Sequence, residues 1–450
     1  MIPLSFPMKT LRFLLLLAVF ALPVLHAGIA ENIVRERIHG IDVLTLPTGV
    51  KNVVTLKGTL PLGHAASPAD NPALAYLTGS MLDKGTAAHD KFAIAGQLES
   101  VGAALTFGVG TETLAINGKC LTKDVPLVLA LLAEQLRSPA FSAEEFDKVK
   151  KHYIGTLRQA LDNTNTQAAD AFTRAVYPLG HPNRKVPTTE LIEAVERTTL
   201  DEIKAFHAEY YGPAHLVLVL VGDVDAAAVA TEINKSFAGW TGGKLPAIPA
   251  VAGGNLDAAR DQTVFMADKT SVTVVLGQAS GLRYSDPDSL ALRVGTDILG
   301  GGFSARLMGN VRDKEGLTYG IYGFMTGDNL RDGDWRIWSN FSPDLLDQGI
   351  ASTRRELDKW HREGVTAAEL VQRKSGLSGE YKVGLSTTDG MAGAILNTLQ
   401  RGYELTWLDE YPAALHALTL DQVNGVIKKH LNPEQMVLVK AGTVTDPTGK

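Results

Sequence analysis

The residue types that could do chemistry in this chain are few, and their spacing disqualifies most of them. Eleven histidines are spread so that no two lie within five residues, His207 and His215 being the closest pair. Zinc peptidases commonly take two histidines from one helix face at i and i+4, with a glutamate between them as base; no such set occurs. His152, His181 and His361 stand among polar residues and read as solvated surface groups. Cys120, the single cysteine, falls in the alternating stretch ETLAINGKCLT, where a half-buried strand position explains it better than a nucleophile. A lone cysteine also removes internal disulfides, Cys-based zinc ribbons and dithiol redox centres. No G-x-S-x-G elbow is present. Gly108-Val109-Gly110 is a fragment of a dinucleotide fingerprint and suits a strand turn. Gly300-Gly301-Gly302 is not followed by Gly-Lys-Ser/Thr, so it makes no phosphate loop. The charges of residues 354–363 suit one solvated helix face. What is left is Arg312 and Tyr319, seven residues apart, which a helix end and the next strand could hold for local packing or for recognition.

The elements that must position such groups are those of an ordinary folded protein. Of 450 residues, 45% are hydrophobic and 20% charged, without the charge excess of a disordered chain or the long apolar spans of a multi-pass membrane protein. A chain of this length is expected to split into two or three domains. Its 43 basic and 49 acidic residues give a net charge of -6, which argues against a dedicated nucleic-acid binder. Forty-four glycines, against a usual ~7% of residues, call for tight backbone turns. Residues 1–30 read as a secretory signal: basic Lys9 and Arg12, the uncharged run FLLLLAVFALPVL, then the small residues Ala27, Gly28 and Ala30. The run is too short to cross ~30 Å of hydrocarbon as a helix, an uncleaved anchor being the alternative. An exported chain without disulfides and without stable membrane insertion suits a bacterial periplasm.

The chain also repeats itself. Residues 199–224 read TLDEIKAFHAEYYGPAHLVLVLVGDV and residues 419–444 read TLDQVNGVIKKHLNPEQMVLVKAGTV, an ungapped match at an offset of 220. Each copy predicts a helix N-capped by Thr199 or Thr419 that stops before proline. A buried strand ended by glycine comes next. A weaker echo places a strand over 53–63 and an apolar helix over 73–82, then a strand over 272–281 and a helix over 290–299. The fold class expected is α+β: two homologous domains of mixed or antiparallel sheet packed with helices, related by internal duplication. They span 31–241 and 257–450. Residues 242–256, which include GGKLPAIPAVAGG, form the linker.

Two stretches carry a family resemblance. Residues 302–322, GFSARLMGNVRDKEGLTYGIY, look like the second-domain signature of the pitrilysin/insulinase zinc-peptidase family, which includes the mitochondrial processing peptidase. Residues 71–86, NPALAYLTGSMLDKGT, are similar to the segment that holds that family's inverted motif, His-x-x-Glu-His before a Met-Leu-x-Lys-Gly-Thr-like run. Leu98, Gly102, Pro139, Phe141, Glu145 and Phe146 fit the family pattern downstream of that run. The departure lies in the metal site. The first histidine falls on Tyr76, the glutamate base on Gly79 and the second histidine on Ser80, and the third ligand falls near Gly155 or Thr156. Such residues cannot hold zinc or activate its water.

The resemblance therefore implies a non-catalytic subunit without a metal of its own. It implies a homologous zinc-bearing partner in a heterodimer, an extended peptide substrate added to a sheet edge, and a periplasmic location. In this reading Arg312 binds a substrate carbonyl or carboxylate and Tyr319 donates a hydrogen bond to the tetrahedral oxyanion. Gly300, Gly301, Gly302 and Phe303 form a glycine-rich loop that contacts substrate or makes a plain turn. A scaffold or assembly protein of the same fold is the alternative.

Overall fold

The computed structural model describes residues 28–254 and 258–444, so the expected signal lies almost wholly outside the described residues. Among those residues no helix is long and apolar enough to cross a membrane. The strands are β1 (Val34–Ile38), β2 (Ile41–Pro47), β3 (Val53–Leu60), β4 (Ala104–Val109), β5 (Leu114–Leu121), β6 (Val217–Gly222), β7 (Arg260–Phe265), β8 (Val272–Ala279), β9 (Ile321–Thr326), β10 (Asp334–Phe341) and β11 (Val437–Gly442). They make two mixed sheets, ordered β1-β2-β6-β3-β5-β4 and β7-β11-β8-β10-β9. In each sheet the only parallel pair joins an early strand to the last one, β2 to β6 and β7 to β11. The strand β1 is an addition to the first sheet, hairpinned to β2 through His39 and Gly40, both at positive φ.

The duplication expected from sequence is thus present in the topology. Helices Leu200–Tyr210 and Leu420–His430 keep the offset of 220, as do β6 and β11. Thr199 and Thr419 both cap, each closing a capping box with the residue three positions on, Glu202 or Gln422; such a cap is worth ~1 kcal/mol. Gly222 and Gly442 end the strands at φ +141° and +147°. At both positions an added Cβ would press on the neighbouring strand's backbone, so glycine is the residue that lets the chain leave the sheet there.

Each sheet is completed by the other half. Helix Thr164–Val176, from the first half, lies on β8 and β11, where Ala168, Ala171, Phe172 and Val176 bury Val275, Val437, Val439 and Ala441. Helix Thr388–Gln400, from the second half, lies on β3 and β6, where Ala392, Ile395 and Leu396 cover Leu44, Leu46, Val219 and Val221. This explains why β6 and β11 are apolar runs rather than alternating ones, since both of their faces are dry. The same polar lock recurs at both crossings. Thr55 on β3 hydrogen-bonds Thr388 at 2.8 Å, and Thr273 on β8 donates to Thr164 or Asn165 at 2.8–2.9 Å. Tyr177 donates to Asp334 at 2.9 Å, and Asp334 is paired with Arg336 inside the joint.

The connection over 241–254 has no helix or strand and is fastened to the second half. Arg331 donates to the carbonyls of Ile248 and Pro249, and Gly253 N–H donates to Asp332 at 2.7 Å. Burying one aliphatic side chain is worth ~1.5–3 kcal/mol, so the helix exchange carries a large share of the stability of each half. Residues 28–241 or 258–444 expressed alone are expected to be insoluble or to bind a hydrophobic dye, whereas co-expression of the two pieces restores a soluble complex, as read by size-exclusion chromatography.

Candidate functional site

The second half brings Arg312, Tyr319 and Phe303 together. Arg312 lies in a turn of π-helix, Met308–Lys314, a rare geometry frequent at functional sites. That turn is anchored by buried Leu307, Met308 and Val311, and by Asn310, which donates to Glu356 at 2.6 Å. Upstream, Arg306 grips Glu369 through two bonds of 2.6 and 2.7 Å. This contact and the Thr366 cap draw the Glu369 carboxyl down to about 2. Buried Leu317 and Ile321 bracket Tyr319, so the loop between them turns its ring outward, and Thr318 pins that loop to the carbonyls of Gly320 and Asn340. The Arg312 guanidinium lies 5.5 Å over both the Tyr319 and the Phe303 ring. Tyr319 is 90% exposed and Phe303 71%. Arg312 makes one weak contact, 3.3 Å to its neighbour Asp313. Among the described residues the Arg312 fork therefore has one weak hydrogen bond beside its two ring contacts, and the Tyr319 hydroxyl has none.

The glycine run is corrected in part. Gly300 is buried, and a side chain there would enter the backbone of Gly323 on β9; it serves helix–strand packing and is out of reach of a ligand. Gly301 lies against the Asp297 carboxylate, and Gly302 faces open space. Close approach explains Gly300, while Gly301 is exposed at the end of the helix.

In the first half, the place of the family's metal site is filled by aromatic rings. Tyr76, on helix Leu74–Gly79, stacks on Tyr153 of helix Ala143–Leu161 at 3.8 Å, and His64 stacks on its ring at 5.5 Å. Burial and the nearby Tyr76 push the Tyr153 phenol well above its ordinary value. Loss of hydration, helped by the Lys185 ammonium, lowers His64 to about 4. A Cβ on Gly79 would meet the Val109 side chain of β4, so the space for a glutamate base is occupied. A pocket of about 370 Å3 remains over these residues, lined by Ser80, Lys84, Lys91, Phe107, Lys148 and His152 among others. Glu145 in its wall is committed to Lys91 and Lys148 at 2.8 and 2.9 Å. Of the helix, Tyr153 stacks on Tyr76 and Val149 and His152 line the pocket; Gly155 and Thr156, where the third ligand was expected, are exposed and do not line it. The residues present do not fit zinc, and among the described residues no three His, Cys, Asp or Glu side chains gather as a metal site.

The remaining candidates have structural roles. Cys120 is buried on β5, and desolvation raises its thiol to about 11, so it is inert. His152 is exposed, but His181 is buried. It stacks on Tyr177 at 4.1 Å and faces Asp332 at 3.4 Å across the joint. His361 is half-buried against the Leu431 carbonyl. In helix Leu346–Glu363 the charged face is solvated except for Glu356, which is buried beside Asn310. The aromatic stack was missed by reading the sequence, because His64 and Tyr153 lie far from Tyr76 along the chain and no local pattern joins them.

An α+β duplicated fold with a vacated metal motif in its first half and an Arg/Tyr cluster in its second defines a peptidase-like protein of inactive type. Residues 43–187 match the family model for insulinase (peptidase family M16) and residues 197–377 match that of the peptidase M16 inactive domain. The chain belongs to the insulinase, or pitrilysin, family M16. It is similar to the crystal structure of a peptidase M16 inactive domain from Pseudomonas fluorescens, with TM-score 0.84 and 25% identity over 92% of this chain and 98% of that one. Among curated proteins it is 26% identical to an uncharacterized zinc protease of Streptomyces coelicolor over 87% of this chain and 88% of that one. It is 24% identical to the non-peptidase homolog YmxG of Helicobacter pylori over 82% and 84% of the two chains. The periplasmic protease PqqL of Escherichia coli shares the fold, at TM-score 0.77 and 15% identity; 98% of this chain matches 49% of that one.

Writing the family motif back as the triple variant Tyr76→His, Gly79→Glu, Ser80→His is expected to yield no stoichiometric zinc by elemental analysis. Overpacking against Val109 should also destabilise the protein by about 1–3 kcal/mol in urea denaturation. His64 sets a pH dependence. Its folded value is depressed, so the unfolded chain binds the proton first. Stability is full above about 6.5 and falls as pH drops towards about 4, by up to about 3 kcal/mol. The wild-type minus His64→Gln difference in urea midpoint should shrink over that interval.

Proposed function

We propose that this chain is the non-catalytic subunit of a two-chain periplasmic zinc peptidase. The observation that carries the reading is the surface cluster of exposed Phe303 and Tyr319 around half-buried Arg312, whose hydrogen-bonding groups have almost no use among the described residues. The vacated site in the first half leaves the chain without a centre for activating water, so hydrolysis belongs to a homologous partner that holds zinc. Arg312 orients an extended peptide through a carbonyl or carboxylate oxygen. Tyr319 donates its phenolic proton in a hydrogen bond to the oxygen that gains charge as the amide carbon becomes tetrahedral. β4 and β9 are sheet-edge strands able to accept an added peptide strand. Two further facts support the pairing. The non-peptidase homolog YmxG matches over most of its length. The full chain matches about half of PqqL, the proportion expected if a working unit holds two chains of this size. A scaffold would have no use for an exposed phenol beside a guanidinium.

The isolated chain should cleave no peptide. In the mixed complex, Tyr319→Phe should lower kcat by about 100- to 1,000-fold while co-elution with the partner is unchanged. Full turnover by that variant removes the proposed role.

A further inference from the structure

We propose that a cavity at the joint between the halves binds a flat aromatic carboxylate, either a free acid or the C-terminal residue of a peptide. The cavity, about 450 Å3, lies among helices Ala367–Gly384, Thr388–Gln400 and Trp407–Ala417, and Lys57 of β3 reaches it from the first half. It shares no lining residue with the Arg312 cluster or with the pocket over Tyr76. It stands independently of the peptidase reading, and its size is that of a small-molecule site.

Its walls are aromatic and already braced. Tyr284, Tyr381, Trp407 and Tyr411 line it. Trp407 lies flat on Tyr403, 4.4 Å away with 4° between the planes, and Tyr381 packs on Tyr411 at 4.7 Å. Tyr381 is further fixed by donating to the Leu408 carbonyl at 2.8 Å. Rings held this way offer a stacking surface at little ordering cost.

The charges select the ligand. Of the charged lining groups, Lys57 is paired with Asp389 at 2.9 Å and Glu380 with Arg373 at 3.1 Å. Arg401 has no carboxylate partner among the described residues; its hydrogen bond there is a long one, Nε to Asn329 at 3.4 Å. Its guanidinium carbon sits 3.6 Å over the Tyr284 ring, which orients the fork without consuming its terminal N–H donors. Arg293 lies over the same ring at 4.0 Å but is committed to Asp328. An oriented guanidinium with two free amino groups matches a planar carboxylate in a bidentate contact, while the surrounding rings take the aromatic body. A neutral ligand leaves that charge uncompensated and a cation is repelled by it.

Calorimetric titration of the full chain with 4-hydroxyphenylacetate, with its amide, and with the peptide Gly-Gly-Gly-Phe in free-acid and amidated forms tests the site and separates the two sources. Saturable one-to-one binding of either acid, weakened at least tenfold by amidation, supports the proposal; the free acid alone points to a metabolite-sized ligand and the peptide alone to a chain terminus. Arg401→Gln and Trp407→Leu should each weaken binding at least tenfold, Arg401→Lys should recover part of it, and Tyr319→Phe should leave it unchanged. Arg401 is only half-buried, so its variants remain testable if Trp407→Leu does not fold. No binding of either acid, equal binding of acid and amide, or unchanged binding by Arg401→Gln overturns it.

Discussion

The structure depends on a reciprocal burial: each half lends a helix to cover the sheet of the other. β6 and β11 sit inside their sheets with apolar side chains on both faces. One face is covered by helices of the same half, and the second face would be wet without the borrowed helix. The polar locks at Thr55–Thr388 and Thr273–Thr164 set the register of those helices but add little beside the apolar burial. The connecting segment can be irregular because it holds nothing together alone, and the aromatic cavity forms where helix Thr388–Gln400, with two neighbouring helices of the second half, lies over β3 of the first.

The two candidate sites differ in opposite senses. Where the family carries metal ligands, this chain has rings at the base of an open pocket. Tyr76 between His64 and Tyr153, with Gly79 tight against Val109, is packing of the kind found in a core. Imidazole in that stack is held neutral by loss of hydration, the opposite of what a titrating catalytic histidine needs. In the second half the polar groups stay outside. Arg312 and Tyr319 hang on a widened helical turn and a pinned loop whose buried residues do the structural work, which leaves the exposed Tyr319 ring and the half-buried Arg312 fork available to another molecule.

Much of this was legible in the sequence, and the unread parts share one cause. The duplicated helix–strand unit could be placed because capping threonines, a helix-ending proline and a closing glycine are local signals with fixed spacing. The vacated metal motif and the Arg312/Tyr319 pair were legible because they lie within short contiguous signatures. What escaped was non-local. The runs at 217–222 and 437–442 announced burial but not which helix covers the second face. His181 looked solvated among polar neighbours, yet Asp332 and Tyr177 enclose it. Gly300 read as part of a substrate loop or a plain turn because a close approach to Gly323 cannot be seen along the chain. The third-ligand position was expected at Gly155 or Thr156, whereas Val149 and His152 are the residues of that stretch that line the pocket and Tyr153 is the one stacked on Tyr76, because the face a helix turns to a distant element is not written in its own sequence.

The helix exchange has a consequence for how such a chain can arise and change. A half-length polypeptide of this design would leave one apolar sheet face bare, and a second copy could shield it by the same crossing. The present molecule has the form of such an intertwined pair joined end to end, with β1 added to one member. Once tied, the two copies no longer had to stay identical, and one could lose its chemistry while still serving as the other's lid.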